Sequence, residues 1–182
     1  MLPTGHIAAG YLITREFLVL THPALSTLQQ QHLIWWGMFF GFAPDLDTFT
    51  VFAKVKRFTG ITDINHRKFF SHAPILWLIF GFGIFFVGWL GHSLFWEYAG
   101  IIAWLASWSH FALDSIQSGV MWLWPWRKKQ VALKDAGLTS NLPAKPFIPY
   151  WLSFLKFYMT EGTLSFSIEI ILIVVALVIY LR

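Results

Sequence analysis

Apolar residues run along this chain in blocks too long for the core helices of a water-soluble domain. The clearest is Ala73 to Gly91, nineteen residues without a charge, enough for a helix to cross about 30 Å of hydrocarbon. Gly91, His92 and Ser93 form a very short turn, and Leu94 to Leu113 is apolar again apart from Glu97. The two blocks predict a tight membrane hairpin. Thr163 to Leu181, rich in Ile, Leu and Val and interrupted by Glu169, predicts a third span. Gly5 to Leu20 carries Arg15 and Glu16, and His32 to Ala43 is short. These two segments read either as further crossings or as helices buried in the bundle, because an unpaired charge at mid-depth costs at least a few kcal/mol. Tyr150, Trp151, Phe154, Leu155 and Tyr158 fall on one helical face, the pattern of an interfacial helix. The start, MLPTGHIAAG, has neither a basic opening nor a small-residue cleavage site, so the chain reads as anchored by its own helices.

The pattern predicts an all-α integral membrane bundle, with about four to five helices spanning or embedded, in a single domain over 1–182. Within it, 4–126 is the motif-bearing core. Residues 127–162 form an interfacial segment containing a linker-like stretch, Ala136 to Pro149, and 163–181 form the C-terminal transmembrane helix.

Composition agrees: 57% of residues are hydrophobic and 12% charged, against roughly 45–50% and about 25% in soluble domains. Disorder is excluded by that apolar content, and a disulfide scaffold by the absence of cysteine. The net charge of +4 comes from 13 basic and 9 acidic residues. The bases are spread over loops, so a bilayer with anionic lipids is the expected partner and nucleic acid is not. Between Pro44 and His72 lie Lys54, Lys56, Arg57, Arg67 and Lys68; between Asp114 and Gly162 lie Arg127, Lys128, Lys129, Lys134, Lys145 and Lys156. By the positive-inside rule both loops are cytoplasmic, which predicts a multi-pass protein of the inner membrane. With five spans the N-terminus lies inside and Arg182 outside.

The histidines and acids change the picture further. His6 opens the first helix, Asp45 and Asp47 follow the second in Pro44-Asp45-Leu46-Asp47, His66 and His72 precede the hairpin, and His110 and Asp114 close it. All seven fall at helix ends or loops on the predicted cytoplasmic side. His110 and Asp114, four apart on a helix, project from one face one turn apart, as two ligands of one cation require. Mixed nitrogen and oxygen donors suit Zn2+ first, with Mn2+ or Fe2+ acceptable. His66 and His72 are six apart, about 240° around one helix. At least one therefore sits on a loop before the helix, with Ser71 as a candidate cap. His22, His32 and His92 fall at the opposite side and read as interface residues.

These residues carry a family resemblance. Gly5-His6, Pro44-Asp45-Leu46-Asp47, His66-Arg67 with Ser71-His72, and Ser109-His110 with Asp114, Gly119-Val120 and Trp124-Pro125 resemble the YdjM-like family. Its members are described as LexA-binding, inner-membrane-associated, predicted metal-dependent hydrolases. The match covers roughly residues 4 to 126. It departs from the family pattern in a longer interval between His66-Arg67 and His72, and in Gln117-Ser118 where a Thr-Pro is usual. A more distant similarity is to the zinc-dependent phospholipase C and single-strand nuclease superfamily of all-helical phosphodiesterases, through Gly5-His6, Asp45 and His110-Phe111-x-x-Asp114-x-x-Gln117. That likeness implies one site of Asp45, His110, Asp114 and one of His66 or His72, with His6 sharing Asp114 in a second. No His follows His110, so one or two ions are implied rather than three.

The expected activity is hydrolysis of a lipid or amphiphilic phosphoester by a metal-activated water, whose pKa falls from 15.7 to about 7. In that reading His6, Asp45, His72, His110 and Asp114 are metal ligands. Asp47 or the uncommitted His66 takes the water proton, and Arg67 holds the phosphate, or else makes a headgroup contact. Two alternatives compete with it. One is a non-catalytic membrane docking or regulatory protein with a structural metal and a regulatory protein partner. The other is a transporter using Glu97 and Glu169.

Overall fold

The computed structural model describes residues 2–55, 66–134, 147–160 and 163–182. Lys56, Arg57, Lys145 and most of the linker-like stretch after Ala136 lie outside them. Seven α-helices account for most of the described residues: α1 (Pro3–Thr21), α2 (Thr27–Phe42), α3 (Asp47–Val55), α4 (Pro74–Leu90), α5 (Leu94–Gln117), α6 (Phe147–Thr160) and α7 (Thr163–Tyr180). Three 3-10 turns, Ala43–Leu46, His66–Lys68 and Phe70–His72, carry the chain between α2 and α4. No strand occurs among the described residues; a single antiparallel bridge joins Val120 and Val131.

Local signals explain the helix ends. Pro3 and Pro74 stand in the first turns of α1 and α4, where a missing N–H costs nothing. Ser26 and Gln29 close a capping box on α2. Gly119, with φ of 81°, ends α5 by returning its N–H to the carbonyl of Asp114. His22 and His92 terminate α1 and the α4–α5 turn in left-handed backbone, with φ of 44° and 49°.

Helix α5 is the axis, packed against α4, α2 and α1. Its buried stripe of Ala99, Ala103, Ala106, Ser107, His110 and Asp114 repeats at helical spacing and turns polar toward the C-terminal end. The α1–α2 pair crosses antiparallel at glycines: a Cβ on Gly41 would stand 2.5 Å from the carbonyl oxygen of His6. One on Gly10 would collide with the carbonyl of Gly37, and one on Gly37 with the hydroxyl of Thr14. Small residues at this spacing let two helix backbones touch. Gly81 and Gly100 do the same for α4 and α5, where a Cβ on Gly81 would lie 2.7 Å from the Gly100 carbonyl.

The predicted spans Ala73–Gly91, Leu94–Leu113 and Thr163–Leu181 all fold as helices, but among the described residues no single helix is long and apolar enough to cross a membrane. Helix α4 is apolar yet has 17 residues, about 26 Å at 1.5 Å per residue. Helices α6 and α7 meet the requirement of length and composition only as a pair, bent by 98°. Ser71 does not cap α4, whose N-cap is Ala73; its carbonyl accepts from Trp77 Nε1 at 2.7 Å instead.

The glycine crossing yields a paired prediction. Gly37→Ala forces a methyl onto Thr14 and should cost about 1–3 kcal/mol. Gly83→Ala, whose Cβ meets nothing within 4 Å, should be neutral or gain about 0.5–1 kcal/mol from helix propensity. Thermal unfolding of the two variants in detergent checks both.

Candidate metal centre

Four helix ends meet at one end of the bundle: the start of α1, the end of α2, the start of α4 and the end of α5. Antiparallel pairing makes this so, because His6 on α1 lies against Gly41 on α2, while the α4–α5 turn sits at the far end. The helix ends bring together His6, Asp45, His72, His110 and Asp114. His6, His72 and His110 are fully buried and Asp114 is 1% exposed. One ligand atom from each of Asp45, His72, His110 and Asp114 lies within 4.8 Å of the others.

The carboxylates divide their oxygens. Asp45 Oδ1 faces His72 Nε2 at 3.4 Å and His110 Nε2 at 3.7 Å, while Oδ2 lies 4.0 Å from His6 Nε2. Asp114 Oδ2 lies 3.9 Å from His110 Nε2, and Oδ1 lies 3.5 Å from His6 Nε2. The His6 and His110 rings stack at 3.8 Å. Donors bonded at about 2.0–2.1 Å to a tetrahedral zinc sit about 3.3–3.4 Å apart, so these separations suit atoms arranged around a cation. The donors also need one: His6 Nε2, His110 Nε2 and Asp45 Oδ1 are buried without a hydrogen-bond partner among the described residues. Such atoms are costly to bury unless something binds them. The residues present therefore fit a divalent cation.

The surroundings orient the ligands. His110 Nδ1 pairs with the Gly41 carbonyl at 2.9 Å, which puts the proton on Nδ1 and leaves Nε2 free to ligate. His72 Nδ1 pairs with Asp47 Oδ2 at 2.9 Å, and the Ser71 hydroxyl donates to the same oxygen at 2.5 Å. Asp47 opens α3, where the helix dipole favours its charge. Trp77 and Trp108 donate to the carbonyls of Ser71 and Pro74 and pin the turn that carries His72.

Charges in the cluster are strongly shifted. Burial alone would push Asp45 up, but the imidazoles of His110, His72 and His6 outweigh it and hold the carboxyl well below its usual range. Burial alone would push His72 down; the Asp45 and Asp47 carboxylates, accepting from its ring nitrogens and adding negative charge, instead hold it up to about 9. A cation taking His72 Nε2 displaces that proton.

Of the seven residues gathered on one predicted side, five line the cluster and Asp47 stands directly behind it. The side chain of His66 lies outside the described residues, and its backbone opens a 3-10 turn. Arg67, read as a phosphate holder, places Nε 3.0 Å from Asp114 Oδ2 and is 15% exposed. The sequence reading missed three contributors: the Gly41 carbonyl, Ser71 as the partner of Asp47, and Glu169. Glu169, a pathway acid only in the competing transporter reading, is buried and accepts from Leu2 N, Thr4 Oγ1, Gly5 N and Tyr158 OH. The Gly37-x-x-x-Gly41 spacing was the available signal for the first of these.

An all-helical bundle with a buried His/Asp cluster at one end is thus the class to which the chain conforms. Over residues 1–182 it matches the YdjM inner membrane protein family, and it belongs to that family. No curated protein and no solved structure matches it.

The orienting contacts can be tested directly. Asp47→Asn removes the acceptor that orients His72 and should weaken zinc binding about 10–100-fold, whereas His22→Gln, at the opposite end, should leave it unchanged. Competition with a chromophoric chelator measures both.

Proposed function

We propose that this protein is a membrane-bound metal-dependent hydrolase acting on the phosphoester of a lipid or amphiphilic substrate at the cytoplasmic face. The observation that carries the reading is the convergence of buried His and Asp ligand atoms within 4.8 Å of one another, with His110 Nε2 and Asp45 Oδ1 lacking a hydrogen-bond partner among the described residues. Asp45, His72, His110 and Asp114 hold one divalent cation, most readily Zn2+, with Mn2+ or Fe2+ acceptable. His6, facing the second oxygens of Asp114 and Asp45, serves a second ion.

A cation bound there supplies Lewis-acid polarisation of a phosphoryl oxygen and a water that ionises near neutral pH. The chain's own residues do the rest. Asp47 orients His72 through Nδ1 and acts as a positioning group. Arg67 neutralises Asp114 and, being partly exposed, presents its planar guanidinium to an incoming phosphate. His66 is the remaining candidate to take a proton from water.

The membrane assignment draws on the family and on the surface. Ile79, Phe82, Phe86 and Trp89 of α4, and Ile171 and Val174 of α7, are exposed large apolar residues that an aqueous surface disfavours. A multi-pass arrangement covers them with lipid. Lys68, Arg127, Lys128, Lys129 and Lys134 are exposed near the metal end, which favours a cytoplasmic orientation and anionic headgroups as neighbours.

Near-complete burial of the cluster favours a second reading, a closed structural cation in a docking or regulatory membrane protein with a protein partner, since a catalytic site keeps one coordination position open. Metal content and hydrolysis of phosphoester lipids by wild type and Asp114→Ala separate the two. Stoichiometric metal with turnover, both lost in Asp114→Ala, is the expected result. Metal content near zero sinks the hydrolase reading, and retained metal without turnover across a broad phosphoester panel favours the docking role.

A further inference from the structure

We propose that Glu169, on the last helix, is a positioning residue for His6 on the first. Its carboxylate is 2% exposed. Oε1 accepts from Thr4 Oγ1 at 2.6 Å and Gly5 N at 3.1 Å; Oε2 accepts from Leu2 N at 3.1 Å and Tyr158 OH at 2.7 Å. A carboxylate has about four acceptor sites, so this one is saturated and has none left for ions in transit. Helix α1 lacks a side-chain cap of its own. Glu169 does that work from 164 residues away, accepting first-turn N–H groups and placing negative charge at the positive end of the helix dipole.

His6 follows Gly5 directly. Both of its ring nitrogens are buried without a hydrogen-bond partner among the described residues. The polar contacts of the ring are long, 3.5 Å to Asp114 Oδ1 and 4.0 Å to Asp45 Oδ2, so stacking on His110 and the position of its backbone set its orientation. Holding the first turn of α1 therefore sets where His6 Nε2 stands relative to Asp114 Oδ1 and Asp45 Oδ2. The fit is close: a Cβ on Gly5 would lie 2.8 Å from Glu169 Cγ. Glycine at position 5 is what lets the carboxylate reach the helix end.

The inference rests on the reading of His6 as the ligand of a second cation. The test uses the full-length chain purified in detergent, with zinc stoichiometry by mass spectrometry and affinities by chelator competition. Wild type should hold two ions and His6→Ala one. Glu169→Ala should match His6→Ala, weakening the second ion by at least about tenfold while leaving the first within about twofold. Gly5→Ala, which displaces Glu169 from the other side, should reproduce the loss. Glu169→Gln, which keeps one acceptor oxygen, should recover part of it. Should Glu169→Ala fail to fold, Gly5→Ala and Glu169→Gln decide by the same readout. Glu169→Ala holding both ions with wild-type affinity overturns this inference and leaves the metal reading standing. Loss of both ions together with a lowered melting temperature also overturns it, assigning a general structural role. Wild type without metal, or with metal insensitive to His6→Ala, overturns the reading of His6 and the inference together.

Discussion

Carboxylates can be buried in a bundle so poor in charge only where positive groups or hydrogen-bond donors meet them, and the rest of this structure is arranged around that constraint. An isolated ionised carboxylate in an apolar interior is prohibitive, and even a paired one is costly unless its remaining lone pairs are engaged. Asp45, Asp47 and Asp114 are three of only nine acids in the chain. Each is set against imidazole, guanidinium or hydroxyl, and the valences left over point inward at one another. His110 Nε2 and Asp45 Oδ1 find no hydrogen-bond partner among the described residues, the feature that makes this cluster a candidate ligand set.

Backbone approach makes the cluster compact. The α1–α2 crossing is close enough that the carbonyl of Gly41 reaches His110 on α5 and His6 sits beside both. Placing the donors at helix ends rather than at mid-bundle gives access to free carbonyls and to 3-10 turns, whose side chains point where a regular helix would not send them. The Phe70–His72 turn is the clearest instance: held by Trp77 and by Ser71 on Asp47, it turns His72 into the bundle just before α4 begins.

Much of this was legible in the sequence. Long apolar blocks located the helices, the i, i+4 pair His110 and Asp114 gave a shared face, and up-and-down connectivity put the polar helix ends on one side. His22 and His92 were correctly set apart, because turn residues fall at the opposite end. Other features were not legible. Eighteen-odd apolar residues suggested independent spans, yet α4 folds as 17 residues bounded by Ala73 and Gly91, and α7 reaches the needed length only with α6 across a bend. Spacing put Asp47 near the cluster but could not show that its Oδ2 faces His72 Nδ1 and the Ser71 hydroxyl. Glu169 interrupted an apolar block with no partner visible nearby, because its donors on α1 are more than 160 residues away.

That last contact also bears on how the chain is made. Synthesis proceeds from the N-terminus, so α1 emerges with its first-turn donors unanswered, and the acceptor that completes them arrives with the final helix. Helix α7 is joined beside the cluster to α1 through Glu169 with Leu2, Thr4 and Gly5, and to α5 through the Ser165 amide with Gln117. Without α7 the chain keeps every segment that bears a cluster residue, yet the first turn of α1 is unfastened. Fastening of the α1 start thus waits on α7 packing against it, which ties local order at His6 to a contact made late in synthesis.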